Sequence, residues 1–197
     1  MWFVADRDER DDRDVQQMAA RLGDRAFLRV LQRRELENYL LDPSAIAEFL
    51  NEKAGKVVAA ARGVAGALRE AAAGLRERVV ALRLMKRLLA PLYIQSREKP
   101  GSVEERLAAG KKELDQRIAA IGDERASIAE EIDRTFQERA LEVVPGTLIL
   151  DTVATGFGLR FLKEKGDSLR LARHLGPGSL SQEIVGLLDE ICSVATH

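Results

Sequence analysis

The chain has 197 residues, of which 46% are hydrophobic, 32% charged and only 5% aromatic; 31 basic and 32 acidic side chains leave a net charge of -1. That length and apolar content exclude a disordered chain and suffice for a core that needs no disulfide or metal staple. A neutral total excludes bulk attraction to nucleic acid, so any such attraction must be local.

The first element is a short run of large and β-branched residues, Met1-Trp2-Phe3-Val4-Ala5, which predicts a buried strand. It meets an acidic cluster at once: residues 6–14 hold six acids and three arginines. Residues 12–22 read as a helix with Val15, Met18, Ala19 and Leu22 on one face and Gly23 as its C-cap. Residues 26–31 read as a second strand, and a strand–helix–strand unit favours a parallel pair with a right-handed crossover. Asp42 as N-cap and Pro43 at the first helical position start the next helix, which runs to about Leu50.

The middle of the chain changes character. Residues 52–99 hold eleven bases and four acids, a net of +7; residues 103–142 hold eleven acids and seven bases, a net of -4. Leu107, Leu114, Ile118, Ile121, Ile128, Ile132 and Phe136 lie close to a heptad seam. With Pro100-Gly101-Ser102 as a turn, the expectation is an antiparallel helical hairpin with oppositely charged arms. Met85 and Tyr93 read as packing residues within it. Arg62, Arg69, Arg76 and Arg83 recur every seven residues. Such a stripe either attracts phosphates or pairs with the acidic arm.

An α/β pattern then returns. Residues 141–144 predict a third strand, punctuated by Pro145-Gly146. Helices follow at about 148–163, 168–175 and 182–194, the last capped by Ser181. Cys192 reads as a buried hydrophobe and His174 as a surface or helix-end residue. As the single cysteine, Cys192 excludes an internal disulfide and fits a reducing cytoplasm. Basic residues interrupt the apolar stretch 57–92, so no bilayer span is expected.

Two constellations bear on chemistry. Asp6-Arg7-Asp8 follows a strand, where alternation sends residues i and i+2 to the same side, and two carboxylates there can share a hard cation. The alternative is a solvated acidic loop favouring the positive end of the following helix. Glu35-Leu36-Glu37-Asn38-Tyr39 brings a further carboxylate beside the pair. Otherwise it is an ordinary strand exit whose glutamate pairs with Arg33 or Arg34.

Taken together, Phe3-Val4-Ala5-Asp6-Arg7-Asp8-Glu9-Arg10, the run from Arg33 to Pro43, and Val144-Pro145-Gly146 resemble the Toprim domain of OLD-family nucleases and related AAA-ATPase-linked proteins. The resemblance covers residues 1–50 and roughly 141–197. It implies a helix-rich α/β fold in which 1–51 and 141–197 form a partial Toprim-like core and 52–140 a helical hairpin insertion. It further implies Mg²⁺ or Mn²⁺ held by Asp6, Asp8 and Glu37, and metal-dependent phosphodiester hydrolysis on nucleic acid. The implied partners are an AAA-type ATPase subunit or the missing Toprim segment; the rival reading is a non-catalytic interaction protein in which the hairpin mediates self-association or docking and the acids merely solubilise. Two departures stand out. The family's upstream strand ending in Glu is absent, and Thr147 follows the Pro-Gly where members often carry Lys. Lys163 and Lys165 could substitute in space, although their ordinary reading is a solvated helix end. No phosphate-binding Gly-x-x-x-x-Gly-Lys-Ser/Thr run occurs.

Overall fold

The structure is a computed structural model that describes residues 2–8, 12–22, 27–98 and 102–195. It is helix-rich α/β with a small two-stranded parallel sheet. Strands β1 (Trp2–Ala5) and β2 (Phe27–Val30) pair in parallel with Trp2 opposite Phe27, and α1 (Asp12–Leu22) forms the crossover. Phe3, Val4 and Phe27 remain 40%, 45% and 59% exposed, so the sheet is open rather than sandwiched. The expected cap at Gly23 lies outside the described residues.

After β2 the chain makes a 3-10 turn (Leu36–Leu40) and enters α2 (Pro43–Ala54). The Asp42 carboxylate accepts from the Ser44 and Ala45 N–H groups, which answers two of the helix's orphan donors. Gly55 ends α2 in the left-handed region that glycine enters without steric cost. The Asn51 side chain then holds the connecting loop, accepting from Val58 N and Ala59 N and donating to Ala59 O. Helix α3 (Ala61–Gly74) packs on both α2 and α7 (Gly146–Gly156). Ile46, Phe49, Leu50, Val64, Leu68, Ile149 and Leu150 are all at most 3% exposed and form the core there.

The expected third strand is not present. Residues 141–143 are the last turn of α6 (Ile121–Val143) and Val144 N still donates to Ala140 O. Four apolar and acidic residues cannot by themselves distinguish strand from helix end. The segment does run beside residues 34–38, but as a helix end whose carbonyls accept hydrogen bonds: Glu142 O from Arg34 N, and Leu141 O and Val144 O from Asn38.

The C-terminal part holds α8 (Asp167–Ala172) and α9 (Gln182–Ala195). Ser181 Oγ accepts from Ile184 N, as its sequence position predicts. Leu187, Leu31 and Tyr39 form a buried cluster with Ile184 and Ile191 against it. Cys192, expected to be buried, is exposed, because the inward face of α9 is the one carrying Leu187 and Ile191. His174 follows α8 and its ring faces the Glu48 and Glu52 carboxylates of α2 at 3.3 and 2.8 Å.

Tyr39 ties this cluster together. Its hydroxyl donates to Glu183, accepts from Arg33 N, and the ring lies under the Arg33 guanidinium. Burial, and then the hydrogen bond to the Glu183 carboxylate, push its pKa up from 10.0 to about 12. A raised pKa means that the folded chain favours the protonated phenol. The associated stability is full below about pH 10 and is lost as pH climbs to about 12, a drop of roughly 3 kcal/mol. Urea unfolding of the wild type and Tyr39→Phe at pH 9 and 11.5 will show this as a slope the variant lacks.

Contacts divide the chain into two compact units, Met1–Leu75 with Arg139–His197, and Arg76–Glu138. Helix α3 therefore belongs to the first unit. The second unit holds α4 (Arg76–Glu98), α5 (Val103–Ala119) and most of α6. A capping box at Ser102 and Glu105 starts α5, and Ala120 separates it from α6. Of the expected heptad seam, Ile128 and Ile132 are fully buried, while Leu107, Ile118 and Ile121 are exposed. The break at Ala120 interrupts the seam. Met85, expected to pack, is half exposed, and the side chain of Tyr93 lies outside those described. Arg76 makes a two-pronged ion pair with Asp133, and Arg83 pairs with Glu131. Half of the arginine stripe thus meets acids of the same unit. No helix among the described residues is long and apolar enough to cross a membrane.

Candidate functional site

The site is built where the two parallel strands end. Strand β1 stops at Ala5, so strand alternation does not reach Asp6 and Asp8. A different device places them. The Asp6 carboxylate accepts from Leu36 N at 2.8 Å, and Asp8 N donates to Arg34 O at 2.8 Å. Asp8 sits at φ 47°, in the left-handed region that Asp tolerates better than most side chains. Both residues therefore dock on residues 34–36, the segment that leads from β2 into the 3-10 turn. They arrive by loop-to-loop hydrogen bonding rather than by sharing a strand face.

That same segment supplies two glutamates. Glu35 pairs with neither Arg33 nor Arg34 in its principal contacts. Its carboxylate caps the start of α7, accepting from Thr147 N at 3.0 Å and Thr147 Oγ1 at 3.1 Å. A carboxylate is stabilised there by the helix's orphan N–H groups and its positive end. Glu37 is 2% exposed. Burial of a carboxylate demands a partner, and it has two: Lys163 Nζ lies 2.9 Å from Oε1 and 3.0 Å from Oε2, and Ser168 Oγ donates to Oε1 at 3.1 Å.

Lys163, read from sequence as a solvated helix end, is thus the cation of the site. Burial alone would lower its pKa, but the Glu37 hydrogen bond and the charges of Glu37, Asp6 and Glu35 together hold it above the ordinary lysine value. One ammonium thereby senses three carboxylates from three separate chain positions. Lys163 opens a 3-10 turn that Gly166 closes at φ 79°, and Asp167 follows at the start of α8. Asp167 is itself 2% exposed, paired with Lys53 and accepting from Leu162 N at 2.8 Å. These bonds fix the segment that presents Lys163 and Ser168. Nothing in the local sequence marks Lys163, because its role depends on a partner more than a hundred residues away.

Two further residues hold the floor of the site. Asn38, fully buried, donates through Nδ2 to Leu141 O and Val144 O and accepts through Oδ1 from Glu35 N. Gly146, the first residue of α7, lies so close to the 3-10 turn that a Cβ there would come within 2.6 Å of Asn38 N and 2.7 Å of the Glu37 carbonyl carbon. The Glu-Asn dipeptide and the Pro-Gly dipeptide, far apart in the chain, are thus one packing unit.

Among the described residues no group of three or more His, Cys, Asp or Glu side chains gathers so as to hold a metal ion. Glu37 in particular has its two oxygens committed to Lys163 and Ser168. Asp6 and Asp8 have the hard oxygen chemistry that Mg²⁺ takes, and Mg²⁺ commonly keeps several waters and is held by one or two protein carboxylates plus substrate phosphate. Glu37 as arranged does not add a ligand to Asp6 and Asp8. Comparison with family models, with curated proteins and with solved structures finds no match to this chain.

Proposed function

We propose that the first unit is a Toprim-like, divalent-metal-binding module of an OLD-type nucleic-acid endonuclease. One observation carries this reading. The buried Glu37 carboxylate is bonded to Lys163 and Ser168 on the segment where the Asp6 and Asp8 loop docks after the first of two parallel strands, and ligands of parallel sheets bind at the carboxyl edge. An acidic loop serving only as a solvated helix cap has no need of a buried glutamate bonded to a lysine and a serine next to it. In this reading Asp6 and Asp8 hold Mg²⁺ or Mn²⁺, which when bound activates water and balances charge on a phosphodiester. Glu37 orients Lys163, and Lys163 supplies the fixed positive charge that Thr147 lacks. The helical insertion is the unit from Arg76 to Glu138, and the partner this reading implies is an AAA-type ATPase subunit. The setting is cytoplasmic.

The test is a Mn²⁺ titration joined to a nuclease assay on single- and double-stranded DNA. Asp6→Asn with Asp8→Asn will abolish Mn²⁺ binding while leaving the circular-dichroism spectrum unchanged. Any cleavage detected will be lost on Asp6→Asn with Asp8→Asn. Unaltered metal affinity in the double variant removes the assignment.

A second reading, a non-catalytic interaction protein that self-associates through its helical segment, is favoured by the exposure of Leu107 (69%) and Ile118 (53%) on α5. Equal oligomer mass for wild type and Leu107→Glu/Ile118→Glu in light scattering would exclude it.

A further inference from the structure

A second polar assembly lies where α8 and the chain after it meet α2. The His174 ring stands between two carboxylates of α2: Nδ1 is 3.3 Å from Glu48 and Nε2 is 2.8 Å from Glu52. A neutral imidazole carries one N–H and one lone pair, whereas the imidazolium donates from both nitrogens. Only the charged ring satisfies both contacts; a neutral ring keeps one and turns a lone pair on the other carboxylate. The surrounding charges call for the same ion. Glu48, Glu52 and Lys53 come from α2, and Asp167 and Arg170 from α8. Lys53 is paired with Asp167, while Arg170 bonds Glu52 at 2.9 Å and lies 3.6 Å from Asp167. Arg173, next to the ring in the chain, is exposed and makes no ion pair with these carboxylates. Three carboxylates thus face two permanent cations, and His174 is the third. Glu52 is held below the ordinary glutamate range by Arg170 first and then by His174, so it stays charged while the ring titrates.

The ring is also one end of a connection. Residues 174–179 lead from α8 toward α9, and Ser179 Oγ donates at 3.0 Å to Asp42, the residue that caps the start of α2. Asp42 and the Glu48–Glu52 pair lie about 9–15 Å apart along the helix at ~1.5 Å per residue, and five residues reach ~18 Å at most. The connection is thus pinned to α2 at both ends with little slack, and Gly176-Pro177-Gly178 between the pins is exposed. We infer that residues 174–179 form a strap along α2 and that His174 is its pH-sensitive buckle, closed onto Glu48 and Glu52 by the imidazolium and loosened at that end by the neutral ring. The sign follows from the charge. The two-handed contact is complete at low pH, where the ring is protonated, and is lost as pH rises through the ring's titration. Ser179–Asp42 and Lys53–Asp167 involve no histidine and hold throughout, so the opening stays local. Lys163 and Ser168, fixed beside Asp167, keep their bonds to Glu37. None of the strap's groups belongs to the site at Asp6 and Glu37, so the buckle works whether or not that site holds metal.

The test is amide hydrogen exchange of the whole chain at pH 5.5 and 8.5, corrected for intrinsic rates, for the wild type, His174→Gln and Glu48→Gln. The amides of Leu175 and Ser179, hydrogen-bonded to Ala172 O and Gly176 O, report on the strap. In the wild type their protection will fall about twofold to fivefold from the lower pH to the higher, the range of a partly exposed ion pair. In His174→Gln the protection will be equal at the two pH values. Glu48→Gln, which leaves Arg170 on Glu52, will lose most of the pH dependence. A constant protection in the wild type, or a fall of wild-type size in either variant, overturns the buckle. A second measurement needs no variant that folds. In ¹³C spectra of the wild type, the side-chain carboxyl resonances of Glu48 and Glu52 will each show, besides their own ionisation, an inflection at the pH where the His174 ring titrates. Absence of that inflection at Glu48 overturns the two-handed contact.

Discussion

Gly146→Ala will destabilise the chain by about 3 kcal/mol or more. A Cβ at this position meets the backbone N of Asn38 at 2.6 Å, the carbonyl carbon of Glu37 at 2.7 Å and the Glu37 Cβ at 2.9 Å. These are main-chain atoms and a stem atom, not the tip of a flexible side chain, so no rotamer change relieves them. Overpacking in a well-packed core costs typically ~1–3 kcal/mol, and backbone-on-backbone conflict lies at the upper end. In a chain of this size that corresponds to a fall in Tm of roughly 6–12 °C. Gly156→Ala is the control: the same helix, no atom within 4 Å of the new Cβ, and no positive φ. Calorimetry will place it within about 0.5 kcal/mol of the wild type. Similar melting of the two variants would show that α7 can slide away from the 3-10 turn without penalty.

The next largest effect is expected at Asn38. Its side chain answers three backbone groups: the carbonyls of Leu141 and Val144 and the N–H of Glu35. Asn38→Ala leaves all three unanswered in a place with no solvent. Each buried orphan costs about 1–3 kcal/mol, so a loss of about 3 kcal/mol or more follows. Asn38→Asp separates hydrogen bonding from volume. A carboxylate there would face two carbonyl oxygens, and only its protonated form can donate to one of them. The folded state therefore favours the acid form and raises this group's pKa above its unfolded value of ~3.9. The sign follows: Asn38→Asp keeps most of its stability below about pH 4 and loses it as pH rises beyond, while Asn38→Ala shows no such dependence. Urea titrations at pH 4 and pH 7 distinguish the two. Parallel behaviour would mean that water reaches the Leu141 and Val144 carbonyls.

Local signals made much of this fold legible. The β1–α1–β2 unit, the Asp42-Pro43 start of α2 and the Ser181 start of α9 each rest on a few neighbouring residues and form where the sequence pattern predicts, although β1, expected to be buried, leaves Phe3 and Val4 exposed. What failed was decided at a distance. Residues 141–144 carry strand-like side chains but end a helix, because their carbonyls are claimed by Arg34 and Asn38. The position of Asp6 was not legible from strand alternation: a hydrogen bond from Leu36 N places it. A lysine in a polar segment resembles any other until the fold brings Glu37 to it, so the local sequence does not mark Lys163. The roles of Glu35 and Thr147 were hidden in the same way, each waiting for the other across the chain.

The open sheet has a consequence for how the chain behaves in concentrated solution. Phe3 and Val4 point to opposite faces of β1, Phe27 lies on β2, and all three are largely exposed on strands with only one neighbour each among the described residues. A short, flat, apolar edge is a template for pairing with another copy of itself. The acids from Asp6 onward, next to β1, act as gatekeepers that keep such edges apart by repulsion, whereas Arg29 in β2 is ion-paired with Glu190. Repulsion of that kind fades when salt shortens the Debye length from ~10 Å at 0.1 M to ~3 Å at 1 M. Salting the protein out will therefore begin at its N-terminal strands, and a colloid held apart by a few charges will associate edge to edge well before any part of the helical body unfolds.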